Sequence, residues 1–178
     1  METNADTRPT FQATFQVLVG AAPNQKTYTL HDDIFLLRSV YFASARSQAW
    51  SKDGEPIDLT DEDPDVFEAY LRYVYLGEPR LQFEEDSWFQ VHAALYVLAD
   101  KLGDLKTANF IIDWIAKCSE RSSIPEASEA RYVYDHTAEG SHLRRILIDM
   151  LLHEWDCQES EDELRNRFPK DVLLDVLQ

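Results

Sequence analysis

Two groups of residues in this sequence have the types and spacing to do chemistry. His31, Asp32 and Asp33 stand together, a base beside two carboxylates. Such a set can move protons for a reacting nucleophile. Nothing in the neighbouring sequence supplies one, and adjacent acids at a helix start are what the positive end of the helix favours. His153 and Cys157 form the second group, spaced i, i+4 on one helical face. That is half of a zinc site. A structural zinc needs four ligands, and the other candidates, His136 and His142, lie across a turn with no Cys-x-x-Cys partner. Dinucleotide, P-loop, nucleophile-elbow and zinc-protease motifs do not occur. The sequence therefore predicts no catalytic residue, no metal and no cofactor, and the chain is not expected to be an enzyme.

A third feature poses a different question. Arg144 and Arg145 follow a Gly-Ser pair, and Ser141 has the type and position of a helix N-cap. Both arginines then fall in the first turn, where a cation is unfavourable by about 0.3–1 kcal/mol. Leu143, Ile146, Leu147 and Met150 recur at helical spacing and define the inner stripe. Arg145 lies opposite that stripe, with Asp149 four residues on. Arg144 lies at its edge, beside Ile148 and Leu151, where a guanidinium can reach a carboxylate of a neighbouring element. The pair divides: Arg144 docks and Arg145 solvates. The alternative is that both face a partner protein.

Composition bounds the classes. The chain has 178 residues, 44% hydrophobic and 12% aromatic, enough for one domain with a substantial core. Its formal net charge is −16, from 33 acids against 17 bases. That balance argues against nucleic acid and against an anionic membrane surface as partners. The two cysteines, Cys118 and Cys157, make no disulfide framework. The polar opening METNADTRPT has no apolar signal region, and no apolar run approaches the ~20 residues of a membrane span. An intracellular protein is expected, cytoplasmic, nuclear or both.

The elements that position these residues are strands first, then helices. Residues 1–10 read as a flexible tail. FQATFQVLVG (11–20) and TYTLH (27–31) pair as a hairpin across AAPNQ. DDIFLLRSVYFASARSQAW is helical, with Asp32 as N-cap, Ile34, Leu37, Tyr41 and Ala45 at three-to-four spacing, and Ser39 able to restart it. PIDL is a short strand. Asp63 caps the next helix, Pro64 opens it, and Gly77 with Pro79 stops it. Helices follow from Trp88 to Gly103, with Leu105, Ala108, Ile112 and Ile115, from Pro125 to His136, and from Ser141 to Trp155. A last one carries Leu164, Phe168, Val172 and Val176. The fold class is α+β.

As an ordered set, FQVLVG, TYTLHDDIFLLRSVYFASA and IDLTDEDPDVFEAYLRYVYLGEP resemble a BTB/POZ domain. The matching positions are His31, Leu37, Arg38, Ser39, Phe42, Asp63, Pro64, Phe67, Tyr75 and Gly77. LYVLADKLGDLKTANFIIDWI continues the likeness as closing helices. The stretch YVYDHTAEGSHLRRILID is similar to the segment that follows the core in filamentous-fungal members. The resemblance implies a BTB/POZ fold over residues 11–118: a small sheet of three or more strands capped by a helical cluster. It also implies a helical extension over 119–178, packed on that domain within the same unit.

The implied function is a protein-interaction module that forms a homodimer or pairs with another BTB protein. The alternative is an adaptor for a cullin-based ubiquitin ligase. Either role needs exposed apolar surface. Phe11 and Phe15 on an unpaired N-terminal edge strand, and Phe35 on the first helix, are the candidates, with partial burial of Phe15 and Phe35 the competing reading. Trp50 and Lys52 occupy the place where cullin binders carry an apolar-x-Glu motif, so lysine reverses the charge expected there. Trp50 serves as a contact or packs back on the core. Arg38 matches the helix arginine of a charged pocket, but Thr14 stands where many animal members have Asp. Arg38 and Arg144 are thus expected in structural docking.

Overall fold

The computed structural model of this chain describes residues 9–47, 55–77, 88–119, 125–154 and 167–176. β1 (Thr14–Val19) and β2 (Lys26–His31) form the antiparallel hairpin, from Thr14 opposite His31 to Val19 opposite Lys26. Alternation sends Phe15, Val17 and Val19 inward, with Leu30 from β2. β3 (Ile57–Leu59) lies parallel to β1, giving the strand order β2-β1-β3. The N-terminal strand is therefore the centre of the sheet and not the unpaired edge expected for residues 11–19. It also begins at Thr14, which leaves Phe11 ahead of it.

Two short helices follow β2 directly. α1 (Asp32–Phe35) has His31 at its N-cap position, without a side-chain cap, in place of the expected Asp32. The reason is that β2 pairs through His31, so the chain passes from strand to helix with no intervening residue. α2 (Val40–Ala45) starts at Ser39, whose hydroxyl accepts from the Phe42 amide at 3.1 Å. The break at 36–38 divides what the spacing reads as one stripe. Phe35, Ser39 and Phe42 are buried, while Leu37 points outward.

α3 (Pro64–Leu76) begins and ends as expected. Asp63 Oδ1 accepts from Asp65 N at 2.7 Å, and Gly77 closes the helix in the left-handed region at φ 73°. Phe67, Ala69, Tyr70 and Tyr73 are buried. α4 (Trp88–Lys101) is the central helix, with buried residues on most of its circumference. α5 (Leu105–Ser119) packs beside it, burying Thr107, Ala108, Ile111 and Ile115. Leu105, expected on the inner stripe, is exposed.

α6 (Ala127–His136) and α7 (His142–Glu154) pack on α4 and α5, and α8 (Lys170–Val176) packs on both α6 and α7. Of the residues expected on the last helix, Leu164 lies outside the described residues, and Phe168 precedes Pro169, ahead of α8. Phe168 and Val172 are buried. One apolar core runs from Phe15 through to Val172. Glu129 joins the C-terminal helices to it: one carboxylate oxygen accepts from Gln90 N on α4 at 3.1 Å, and the other from Glu126 N at 2.7 Å. Burial raises the Glu129 pKa. Eight helices and a three-stranded sheet among the described residues make this an α+β fold.

Candidate interaction surface

The turn between α1 and α2 is fixed from behind. Ser39 Oγ donates to Leu102 O at 2.6 Å, and Tyr41 N donates to the same carbonyl at 3.2 Å. Gly103, at φ 64°, passes so close that a Cβ there would meet Val40 Cβ at 3.1 Å. Arg38 turns inward. Its Nε donates to Asp104 Oδ2 at 3.0 Å and its Nη2 to Thr107 Oγ1 at 2.8 Å. Tyr70 donates to the same Asp104 oxygen at 3.1 Å, and Asp104 Oδ1 accepts from Thr107 N at 3.0 Å. Asp104 is fully buried, so this network satisfies a carboxylate that water cannot reach. Burial and the adjoining carboxylate raise the Tyr70 pKa, and burial raises that of Tyr73, over whose ring Arg38 lies at 5.7 Å. Arg38 is a docking residue, and its partner is on the turn before α5.

With the turn pinned, Leu37 and Val40 have nowhere to go but outward. Leu37 is 82% exposed and Val40 69%, and Leu105, two residues beyond Gly103, is 69% exposed. Leu37, Val40 and Ala43 line a shallow groove of about 460 Å³ whose lining includes Arg38 and no acid. From Ile34 to Lys52 the sequence has no Asp or Glu, in a chain where 33 of 178 residues are acidic. Among the described residues the groove is lined by aliphatic side chains, serines and Arg38, with no acid.

The residues expected to form the interface fare differently. Phe15 and Phe35 are 5% and 0% exposed, packed on Phe42 at ring separations of 5.3 and 6.1 Å. They are core residues, because β1 is central and α1 lies against the sheet. Phe11 is exposed, its ring edge-on to His31 at 5.2 Å. Trp50 and Lys52 lie outside the described residues. The exposure of Leu37 and Leu105 was missed because their spacing reads as inner-stripe positions, and Val40 was assigned to neither face. For Leu37 and Val40 the signal that could have found them is Ser39, whose capping role interrupts the stripe.

Arg144 docks, though on no carboxylate. Its Nε donates to Thr137 Oγ1 at 3.0 Å, and its Nη2 to Tyr134 O at 2.9 Å and to Thr137 O. These are groups at the C-terminal end of α6, where helix carbonyls lack intrahelical donors and a cation is favoured. The guanidinium also covers the Tyr134 ring at 4.4 Å, and Tyr134 donates to Asp175 on α8 at 2.6 Å. One arginine thus ties α6, α7 and α8. Arg145 is exposed and forms no ion pair with Asp149 among the described residues.

The chemistry-bearing groups have structural partners. Asp32 Oδ2 takes Arg46 Nη2 at 3.4 Å, Asp33 Oδ2 takes Thr10 N and Oγ1 at 2.5 and 2.8 Å, and His31 Nδ1 lies 2.9 Å from the Tyr75 hydroxyl. His136 is stacked on Tyr132 with its Nδ1 2.8 Å from Tyr132 O, and Cys157 lies outside the described residues. Among the described residues no group of His, Cys, Asp and Glu is arranged to hold a metal ion, and no helix is long and apolar enough to cross a membrane.

Compared with protein-family models and with curated proteins, the chain matches none.

Proposed function

We propose that this chain is a non-enzymatic protein-interaction module of BTB/POZ type that self-associates through the face made by Leu37 and Val40. The observation that carries the reading is the exposure of Leu37 and Val40 on a turn held rigidly by Arg38, Asp104 and Gly103. An exposed aliphatic pair on a mobile loop can fold back; on a pinned turn it cannot. Burying each side chain is worth roughly 1.5–3 kcal/mol, which a partner alone can recover.

Charge favours a second copy as that partner. Two chains of like sign repel least where they meet through surfaces without acids, and among the described residues the lining of this groove has none. The order of strands and helices, and the ordered motif positions from His31 to Gly77, support the BTB/POZ assignment and pairing with another BTB chain. The adaptor reading, with a cullin as partner, rests on Trp50 and Lys52 and has no further support from the described residues.

The test is light scattering behind size-exclusion chromatography over a wide range of concentration. The chain is expected to run as a dimer, and the double variant Leu37→Asp, Val40→Asp as a folded monomer with an unchanged circular dichroism spectrum. A wild-type chain that stays monomeric at the highest concentration sinks the self-association reading.

A further inference from the structure

The segment ahead of β1 is held to the domain by one carboxylate oxygen. Asp33 Oδ2 accepts from Thr10 N at 2.5 Å, from Thr10 Oγ1 at 2.8 Å and from Phe11 N at 3.2 Å. These three bonds keep Phe11 at φ 57°, a left-handed conformation that a residue with a Cβ rarely adopts. Held so, the Phe11 ring sits edge-on over His31, which in turn meets Tyr75. The ion pair at this helix start, Arg46 to Asp32 at 3.4 Å, serves the neighbouring carboxylate. Thr10 is exposed, and its hydroxyl is one of the three donors.

We propose that Thr10 is a modification site at which a phosphoryl group unlatches residues 9–13 and uncovers the His31–Tyr75 edge. The modification transfers the terminal phosphoryl group of a nucleoside triphosphate to Thr10 Oγ1. A new P–O bond forms, the bond to the departing nucleoside diphosphate breaks, and the hydroxyl proton passes to a base of the modifying kinase. The product has lost the hydroxyl donor and carries about −2 charge at neutral pH beside the Asp33 carboxylate. Four-residue α1 offers little dipole to offset that repulsion. Phe11, no longer held by Asp33, returns to an extended conformation and leaves His31. β1 is unaffected, because Asp32 N still donates to Ala13 O at 3.0 Å and the hairpin begins at Thr14. This device is separate from the Leu37–Val40 face.

The test uses the full chain with phosphothreonine installed at position 10, compared with the unmodified chain by amide hydrogen exchange. The amides of Thr10 and Phe11 are expected to exchange about tenfold faster or more when phosphorylated, while those of Val17 and Leu18 keep their rates. Equal rates at Thr10 and Phe11 in the two forms overturn the proposal. Thr10→Val, which removes the hydroxyl and keeps both amide bonds, is expected to accelerate exchange much less; equal acceleration shows that charge is not the agent. In an Asp33→Asn background the increment caused by phosphorylation is expected to shrink. An undiminished increment rules out Asp33 as the latch.

Discussion

Arg38 Nε lies 3.0 Å from Asp104 Oδ2, across 66 residues of sequence. That contact joins the α1–α2 turn to the corner between α4 and α5. Tyr70 and Thr107 donate to the same oxygen, so the carboxylate is fully engaged while being fully buried. With the bonds of Ser39 and Tyr41 to Leu102 O, this pair fixes the turn from which Leu37 and Val40 project.

Removing one partner of a buried, bonded ion pair leaves the other uncompensated and costs about 3–5 kcal/mol. Arg38 keeps 17% of its side-chain exposure, so Asp104→Ala belongs at the lower end of that range. Urea unfolding measures it. A loss under about 1 kcal/mol would mean that the turn is held by Ser39 and Gly103 without the ion pair.

The two neighbouring arginines separate cleanly. Arg144→Ala removes the donors that satisfy Tyr134 O and Thr137 O and uncovers the Tyr134 ring, with an expected loss of about 1–3 kcal/mol. Arg145→Ala is expected to stay within about 0.5 kcal/mol of wild type. Equal shifts in melting temperature would contradict the division.

Self-association through an acid-free apolar face in a chain of net charge −16 should respond to salt in a defined direction. Added sodium chloride screens the repulsion between copies and leaves burial of Leu37 and Val40 intact. The dimer dissociation constant, read by sedimentation velocity, is expected to fall as salt rises. If it rises instead, ion pairs carry the contact.

The Asp33 latch has a pH signature. Bonds from Thr10 and Phe11 hold the Asp33 pKa below the ordinary carboxylate value. A carboxylate with a depressed folded pKa contributes stability that is complete above its unfolded pKa and is lost as pH falls through the folded one. Exchange at Phe11 is therefore expected to be pH-independent in its protection near neutrality and to lose protection in acid below the usual Asp range. Protection that persists in Asp33→Ala would refute the latch.

Two glycines test the backbone. Gly20 and Gly77 both have positive φ, at 81° and 73°. At Gly77 a Cβ meets nothing, so Gly77→Ala is expected to cost about 1–2 kcal/mol from conformation alone. At Gly20 a Cβ would stand 2.6 Å from Pro64 Cγ, so Gly20→Ala is expected to exceed that, as thermal denaturation would register. Comparable losses would place the whole effect in φ.

The elements legible in the sequence were those with local causes. Asp63, Pro64 and Gly77 bound α3 because a carboxylate, a fixed φ and a missing Cβ act within one turn. Ser39 and Ser141 cap helices for the same kind of reason, their hydroxyls accepting from amides two or three residues on. The α7 stripe of Leu143, Ile146, Leu147 and Met150 is buried as its spacing predicts. The division between Arg144 and Arg145 also follows from spacing.

What spacing cannot supply is what stands opposite. The sequence by itself determined the α+β class, both ends of α3 and the inner face of α7, because hydrogen bonds and sterics within a few residues decide them. Tertiary structure alone decided that Phe15 and Phe35 are core while Leu37, Val40 and Leu105 are surface. All five are apolar, and whether each is covered depends on β3 pairing with β1 and on the α4–α5 corner meeting the α1–α2 turn. It alone gave Arg38 to Asp104 and Arg144 to the end of α6, since an ion's partner is chosen by proximity in space, and the chain brings these groups together only once the core between them has formed.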